Sequence, residues 1–227
     1  MRRYNAVFLD VDGTLLWVDL DIEGYVRDLK PYATNEFLTV EQAEGLIWES
    51  LRRHINENIN YPTEEELAAF RRENALGVAD SLGLDAPAEV LDEVMSRHIL
   101  YNPYPEAEAV MKELKEIGIP PLYVVSNWDV ALATVLDDLG WTRYMSGIVA
   151  SAKIGSEKPD DTIFEEALSA AGLPRDRVVH VGNDPISDIQ GAAGIDALLI
   201  DREGGIEAPK AVEILPDLRG LPLLVQG

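Results

Sequence analysis

The sequence predicts an α/β fold, a parallel sheet core carrying an inserted all-helical domain. Three observations lead there. Five short apolar runs, at residues 5–10, 121–126, 146–150, 177–182 and 196–200, have the length and the Val, Ile, Leu and Tyr content of buried strands. Helical patterns separate the later runs, and such alternation implies parallel pairing through right-handed crossovers. Residues 17–102 break the rhythm with several helix signals and no convincing strand, so they read as an insertion after the first strand.

The first run, Ala6-Val7-Phe8-Leu9, stops abruptly at Asp10-Val11-Asp12-Gly13-Thr14. An unbroken apolar run marks a strand buried on both faces, and its carboxyl end is where open α/β sheets bind ligands. Two carboxylates crowded there require a cation, a proton or a lysine. The plainer alternative is that Asp12-Gly13 simply reverses the chain. Within the insertion, Thr39 with Gln42 and Thr63 with Glu66 have the capping-box spacing of helix starts. Leu46, Ile47 and Leu51 give one helical stripe, Leu67, Phe70 and Leu76 a second, and a third helix covers Ala88 to Leu100. Pro103 and Pro105 mark the return to the core. Pro105 to Gly118 reads as a helix with Val110, Met111, Leu114 and Ile117 on one face and glycine as its stop. Asp160 to Ala171 and Pro185 to Ala193 also read as helices.

Of the 227 residues 47% are hydrophobic, enough for a sizeable core, and none is cysteine. Disulfides, thiolate metal sites and a cysteine nucleophile are thereby excluded together. With 41 acidic and 19 basic side chains the formal net charge is -22. Such a surface repels nucleic acid and anionic membranes, so neither is an expected partner. It also repels an anionic substrate, and a phosphate site in this chain needs local positive charge. Met1-Arg2-Arg3-Tyr4 leads straight into the first strand without a signal-peptide pattern, and no apolar run reaches the roughly 18 residues that span a bilayer. The expected location is cytoplasmic. The spread of acidic residues along the chain also fits a salty cytoplasm, where screening tolerates such charge.

Chemistry collects at the later strand ends. Val124-Val125-Ser126-Asn127 offers a hydroxyl, an amide and backbone N–H groups suited to an anionic oxygen, although Ser-Asn before a helix equally fits a cap. Lys158, held extended by Pro159, is a fixed positive charge where a helix begins. The fourth run ends in Val181-Gly182-Asn183-Asp184, with Asp188 within reach across one helical turn. His180, inside that run, reads as a hydrogen-bonded core residue.

In this order and placement, the chain resembles the haloacid dehalogenase superfamily. The likeness is carried by Asp10-Val11-Asp12-Gly13-Thr14-Leu15, Ser126, Lys158 and Gly182-Asn183-Asp184-Pro185-Ile186-Ser187-Asp188, and it covers essentially the whole chain. It implies a Rossmann-like core of residues 1–16 and 103–227 and a helical cap of residues 17–102, similar to the branch of phosphoglycolate phosphatases and 2-haloacid dehalogenases. The resemblance further implies Asp10 as the nucleophile that becomes an aspartyl phosphate. Asp12 is implied as the acid and then the base. Ser126 and the backbone at Asn127 would bind a phosphate oxygen, Lys158 would pair with Asp10 and keep it ionised, and Thr14 would hydrogen-bond within the site. Mg²⁺ is the implied cofactor, with Asp10, Asp12, Asn183, Asp184 and Asp188 as the metal-site residues. Asn183 departs from the family pattern, in which most members with this spacing carry aspartate. Either Asn183 or Asp184 then serves as the ligand, with Asp188 supporting the cluster. In the dehalogenase branch the position of Asp12 usually carries tyrosine, so the expected activity is hydrolysis of a small phosphorylated metabolite. The alternatives are a 2-haloacid dehalogenase, a phosphomutase or a non-catalytic acidic binding protein. Tyr25, Lys30, Arg52, Arg53, His54, Arg71 and Arg72 are the substrate contacts considered in the cap, against the plainer reading of surface ion pairs. Trp17 and Trp48 read as packing residues.

Overall fold

In chain order, the computed structural model contains β1 (Ala6–Leu9), β2 (Leu16–Leu20), α1 (Ile22–Leu29), α2 (Val40–Glu57), α3 (Glu64–Leu82), α4 (Ala88–Arg97), β3 (Ile99–Pro103), α5 (Ala107–Glu116), β4 (Leu122–Ser126), α6 (Leu132–Asp138), β5 (Met145–Ala150), α7 (Ser151–Ile154), α8 (Asp161–Ala171), β6 (Val178–Gly182), β7 (Asp196–Ile200), β8 (Glu213–Leu215) and α9 (Leu221–Gln226). The structure describes residues 4–34, 38–116, 118, 121–192, 194–206 and 212–226. Met1 to Arg3, Ile117 and Ala193, which the sequence reading used, lie outside them. Two compact units emerge, Met1–Trp17 with Pro103–Gly227, and Val18–Asn102.

The first unit is built on a parallel sheet of order β5-β4-β1-β6-β7-β8. All five expected strands form. β1 lies inside the sheet, with Phe8 level with Tyr123 of β4 and His180 of β6. Its apolar run is needed because both faces are covered, and Ala6, Val7 and Phe8 are 0% exposed. On one face Ala6, Phe8, Tyr123, Val125, Val149 and Val178 pack with Ile163, Phe164, Ala167 and Leu168 of α8. Full burial of a side chain such as Phe8 contributes about 1.5–3 kcal/mol. The chain lays β4 and β5 on one side of β1 and β6, β7 and β8 on the other. Strand order therefore reverses beside the carboxyl end of β1, the position at which open α/β sheets bind ligands.

Two features depart from the sequence reading. β8 was not expected, because Glu213 and Ile214 are exposed and three residues carry too little apolar pattern to register. A two-stranded ribbon of β2 and β3 also forms, although residues 17–102 were read as strand-free. Leu16–Leu20 alternates between better and less buried positions, a half-buried period of two and not an apolar run. The helix expected to reach Leu100 accordingly ends at Arg97, and Ile99 enters β3. Trp17 is 40% exposed, its ring tilted at 44° to that of Tyr104 with centroids 5.0 Å apart, and so is no core residue.

The second unit, within Val18–Asn102, is held by α1 to α4. Thr39 and Gln42 form the full reciprocal capping box of α2. Thr63 caps α3, which ends at Gly83 in the left-handed conformation with a φ of 65°. Its buried stripe runs Leu67, Phe70, Asn74, Val78 and Leu82 at spacings of three and four. Leu76 falls off that stripe and is 47% exposed, which corrects its assignment to the core face. Tyr25, Leu29, Ile47, Ala79 and Leu91 are among the residues that close the unit's core. Among the described residues no helix is long and apolar enough to cross a membrane.

Candidate active site

The reversal after β1 is set by Gly13. Its φ is 79°, and the backbone closes through Gly13 N to Leu16 O at 2.7 Å and Leu15 N to Val11 O at 2.8 Å. A side chain at this position is excluded twice, by the positive φ and by the Asn183 amide, which an added Cβ would meet at 2.2 Å. Asp10 is anchored by its backbone N–H on Val181 O at 2.9 Å, and only 6% of it stays exposed. Asp12 lies one step further along the turn with its side chain exposed. Thr14 is fully buried, and its hydroxyl meets Asn183 Oδ1 at 3.4 Å.

Asp10, Ser126 and Lys158, which the sequence keeps far apart, converge. Ser126 Oγ donates to Asp10 Oδ1 at 2.9 Å, and Lys158 Nζ donates to the same oxygen at 2.6 Å. All hydrogen bonds to the Asp10 side chain among the described residues run to Oδ1. Lys158 is 3% exposed and also meets Asp188 Oδ1 at 2.6 Å. Asn127 holds the lysine in place, since its side chain donates to Lys158 O at 2.8 Å and accepts from Lys158 N at 2.7 Å. The Asn127 amide is thus committed to Lys158, which corrects the expectation that it offers a donor to an anionic oxygen.

Asp188 is almost fully enclosed. Oδ1 faces Lys158 and His180 Nε2, the latter at 2.9 Å, and Oδ2 accepts from Asp184 N at 3.0 Å. Gly182 makes room for it, because a Cβ there would sit 2.1 Å from the carboxyl carbon. Asp184 caps the wide turn Pro185–Gln190 by accepting from Ile186 N at 2.9 Å and Ser187 N at 2.6 Å. His180 is 0% exposed, edge-on to Phe164 at 5.1 Å, with Nδ1 buried and unpartnered among the described residues. The reading of His180 as a hydrogen-bonded core residue missed that its partner is Asp188. The clue available was a polar ring placed four residues before Asp184 in an otherwise apolar strand.

Electrostatically the cluster sets two buried carboxylates against one ammonium. Burial raises the Asp10 carboxyl above its ordinary value, Lys158 opposes the rise, and the negative Asp188 adds to it. Of these effects the lysine's is the one that favours the ionised form of Asp10. Burial pulls Lys158 down, but the two carboxylates outweigh it and its ammonium is raised. Burial likewise works against the Asp188 carboxylate, yet Lys158 and His180 hold its pKa well below the usual range.

The donor set fits a hard cation. Among the described residues Asp10 keeps one carboxylate oxygen without a protein donor, the neighbouring groups are carboxylate, amide and backbone oxygens, and a positive charge there would offset the excess acid. Among the described residues no three His, Cys, Asp or Glu side chains form a ready cage.

The first unit thus sets a lysine-bridged pair of buried carboxylates at the switch point of a parallel α/β sheet. Residues 4–196 match the haloacid dehalogenase-like hydrolase family. A glyceraldehyde 3-phosphate phosphatase from Methanothermobacter thermautotrophicus is 31% identical over 216 residues, 88% of this chain and 86% of that protein. A phosphoserine phosphatase from Thermus thermophilus is 33% identical over 121 residues, 52% of this chain and 47% of that protein. Among solved structures, a 2-haloacid dehalogenase from Pseudomonas syringae pv. Tomato DC3000 shares the fold with a TM-score of 0.68, at 23% identity and 97% coverage of both chains. The chain belongs to the haloacid dehalogenase-like hydrolases.

Proposed function

We propose that this protein is a Mg²⁺-dependent phosphatase that hydrolyses a small phosphomonoester through an aspartyl phosphate on Asp10. The convergence of Ser126 and Lys158 on Asp10 Oδ1 carries the reading, because it leaves Oδ2 as the oxygen able to attack. Asp10 Oδ2 attacks phosphorus in line and the bond from phosphorus to the ester oxygen breaks. Asp12, exposed on the turn, gives its proton to the departing oxygen. It then takes a proton from water, which attacks the aspartyl phosphate, frees inorganic phosphate and restores the Asp10 carboxylate. Ser126 and the Asn127 backbone orient the phosphoryl oxygens, and Lys158 supplies the local cation that a chain of net charge -22 needs to admit an anion. Bound Mg²⁺ would supply charge neutralisation for the phosphoryl group.

Asp10, the Asp12 carbonyl and either Asn183 or Asp184 would hold the ion. Asp188 serves as the brace that aims Lys158, since both its oxygens already accept hydrogen bonds. The helical unit acts as the cap that selects substrate. Glyceraldehyde 3-phosphate is the first substrate to try, because the phosphatase named for it is 31% identical across most of both chains. The test is phosphate release from a panel of phosphorylated metabolites, led by glyceraldehyde 3-phosphate and phosphoserine, with Mg²⁺ and with chelator. Mg²⁺-dependent turnover of at least one small ester is expected. Release of halide from 2-haloacids, with no phosphate from any ester, refutes the proposal.

A further inference from the structure

The loop after β7 brings a cation to the turn that follows Asp10. Asp201 accepts from Gly204 N at 2.8 Å and Ile206 N at 2.9 Å, which closes the loop on itself and fixes the backbone that carries Arg202. The Arg202 guanidinium lies 3.3 Å over the Tyr104 ring centroid. Its Nη2 donates to Thr14 O at 2.8 Å, its Nη1 pairs with Glu106 Oε1 at 2.7 Å, and its Nε approaches Gly13 O at 3.5 Å. Only 19% of the arginine side chain and 13% of Glu106 are exposed. Every guanidinium nitrogen and one ring face are engaged, so Arg202 acts on the turn and not on a ligand. Gly13 and Thr14 are also the two residues that meet Asn183. The turn is therefore tied both to the end of β6 and to the loop after β7.

We infer that Arg202 is a positioning residue that locks the Asp12-Gly13-Thr14 turn, and so aims the Asp12 carboxyl and main-chain carbonyl at the reacting phosphoryl group and its metal. The inference rests on the phosphatase reading above. The effect is geometric, since Gly13 and Thr14 directly follow Asp12 and Arg202 holds both of their carbonyls. Lysine cannot replace the arginine, because a point ammonium neither stacks flat on Tyr104 nor spans two carbonyls and a carboxylate.

The experiment compares wild type, Arg202→Lys, Arg202→Gln and Tyr104→Leu. It measures kcat and KM on p-nitrophenyl phosphate with Mg²⁺, Mg²⁺ affinity by calorimetry, and Tm. For both Arg202 variants, kcat is expected to fall about tenfold, KM to stay within about twofold, and the Mg²⁺ Kd to rise about tenfold. Tyr104→Leu keeps the fork but removes its platform, and a loss in kcat of about threefold is expected. Arg202 variants with wild-type kcat and wild-type Mg²⁺ affinity, whatever their Tm, overturn the inference. Should neither fold, Tyr104→Leu decides, and unchanged kcat and affinity in that variant refute the inference. A wild-type protein silent on every phosphomonoester removes the phosphatase reading, while the Mg²⁺ affinities still decide Arg202. A wild type that binds no Mg²⁺ overturns both.

Discussion

At the scale of single residues, the account turns on Lys158, a cation sealed between Asp10 and Asp188 at 2.6 Å from each. Replacing it by Met leaves two buried carboxylates without the ammonium that bridges them. The expected cost is about 3–5 kcal/mol of stability, read as a lower urea midpoint, together with loss of turnover. A Lys158→Met protein as stable as wild type contradicts the described geometry. Much of this cluster was legible in the sequence, because Asp10 and Ser126 stand at strand ends where apolar character stops abruptly, and Lys158 stands before Pro159 at the entrance of α8. The hydrogen-bond partners were not legible. Nothing in the order of residues reveals that Asn127 clamps the Lys158 backbone, or that His180 reaches Asp188, since these depend on register between strands and on loop closure. Arg202 was invisible for the same reason. Its partners Thr14 and Glu106 are far away in sequence and adjacent only through the fold.

At the scale of elements, α1 is fastened at its start by Asp21, which accepts from Gly24 N at 2.9 Å and meets His98 Nδ1 at 3.0 Å. Asp28, in the last turn of α1, meets His98 Nε2 at 3.0 Å and Arg97 at 3.3 Å. The Gly24 backbone bond and His98 hold the Asp21 carboxyl below its ordinary value, and His98 and Arg27 do the same for Asp28. Depressed carboxyl pKa values add stability above the unfolded value, about 3.9, and that stability is lost as pH falls through the folded values. Acid unfolding followed by circular dichroism is therefore expected at lower pH for wild type than for a variant carrying Asp21→Asn and Asp28→Asn, whose stability should vary less below pH 5. Identical acid profiles would remove the fastening role. The capped helices α2 and α3 were readable because Thr-x-x-Gln and Thr-x-x-Glu are local signals. β2, β3 and β8 were not readable, because a short half-buried strand is defined by the partner it pairs with.

At the scale of the whole molecule, a net charge of -22 on 227 residues opposes the compact state and repels the anionic substrates proposed for it. Raising ionic strength screens that repulsion, so Tm should climb by several degrees between low and roughly 0.5 M salt, most steeply at the low end. A Tm indifferent to salt would show that the acidic surface carries no destabilising strain. The fold class was legible because apolar runs alternating with helices leave few alternatives to a parallel sheet, and the family match over residues 4–196 agrees. The most direct test of the central claim is rapid quenching of the enzyme during turnover of a phosphomonoester with Mg²⁺, followed by peptide mass spectrometry. The phosphoryl group is expected on Asp10, and Asp10→Asn should carry none while losing at least about 10³-fold in turnover. A phosphoryl group on another residue, or undiminished phosphate release from Asp10→Asn, would contradict the account.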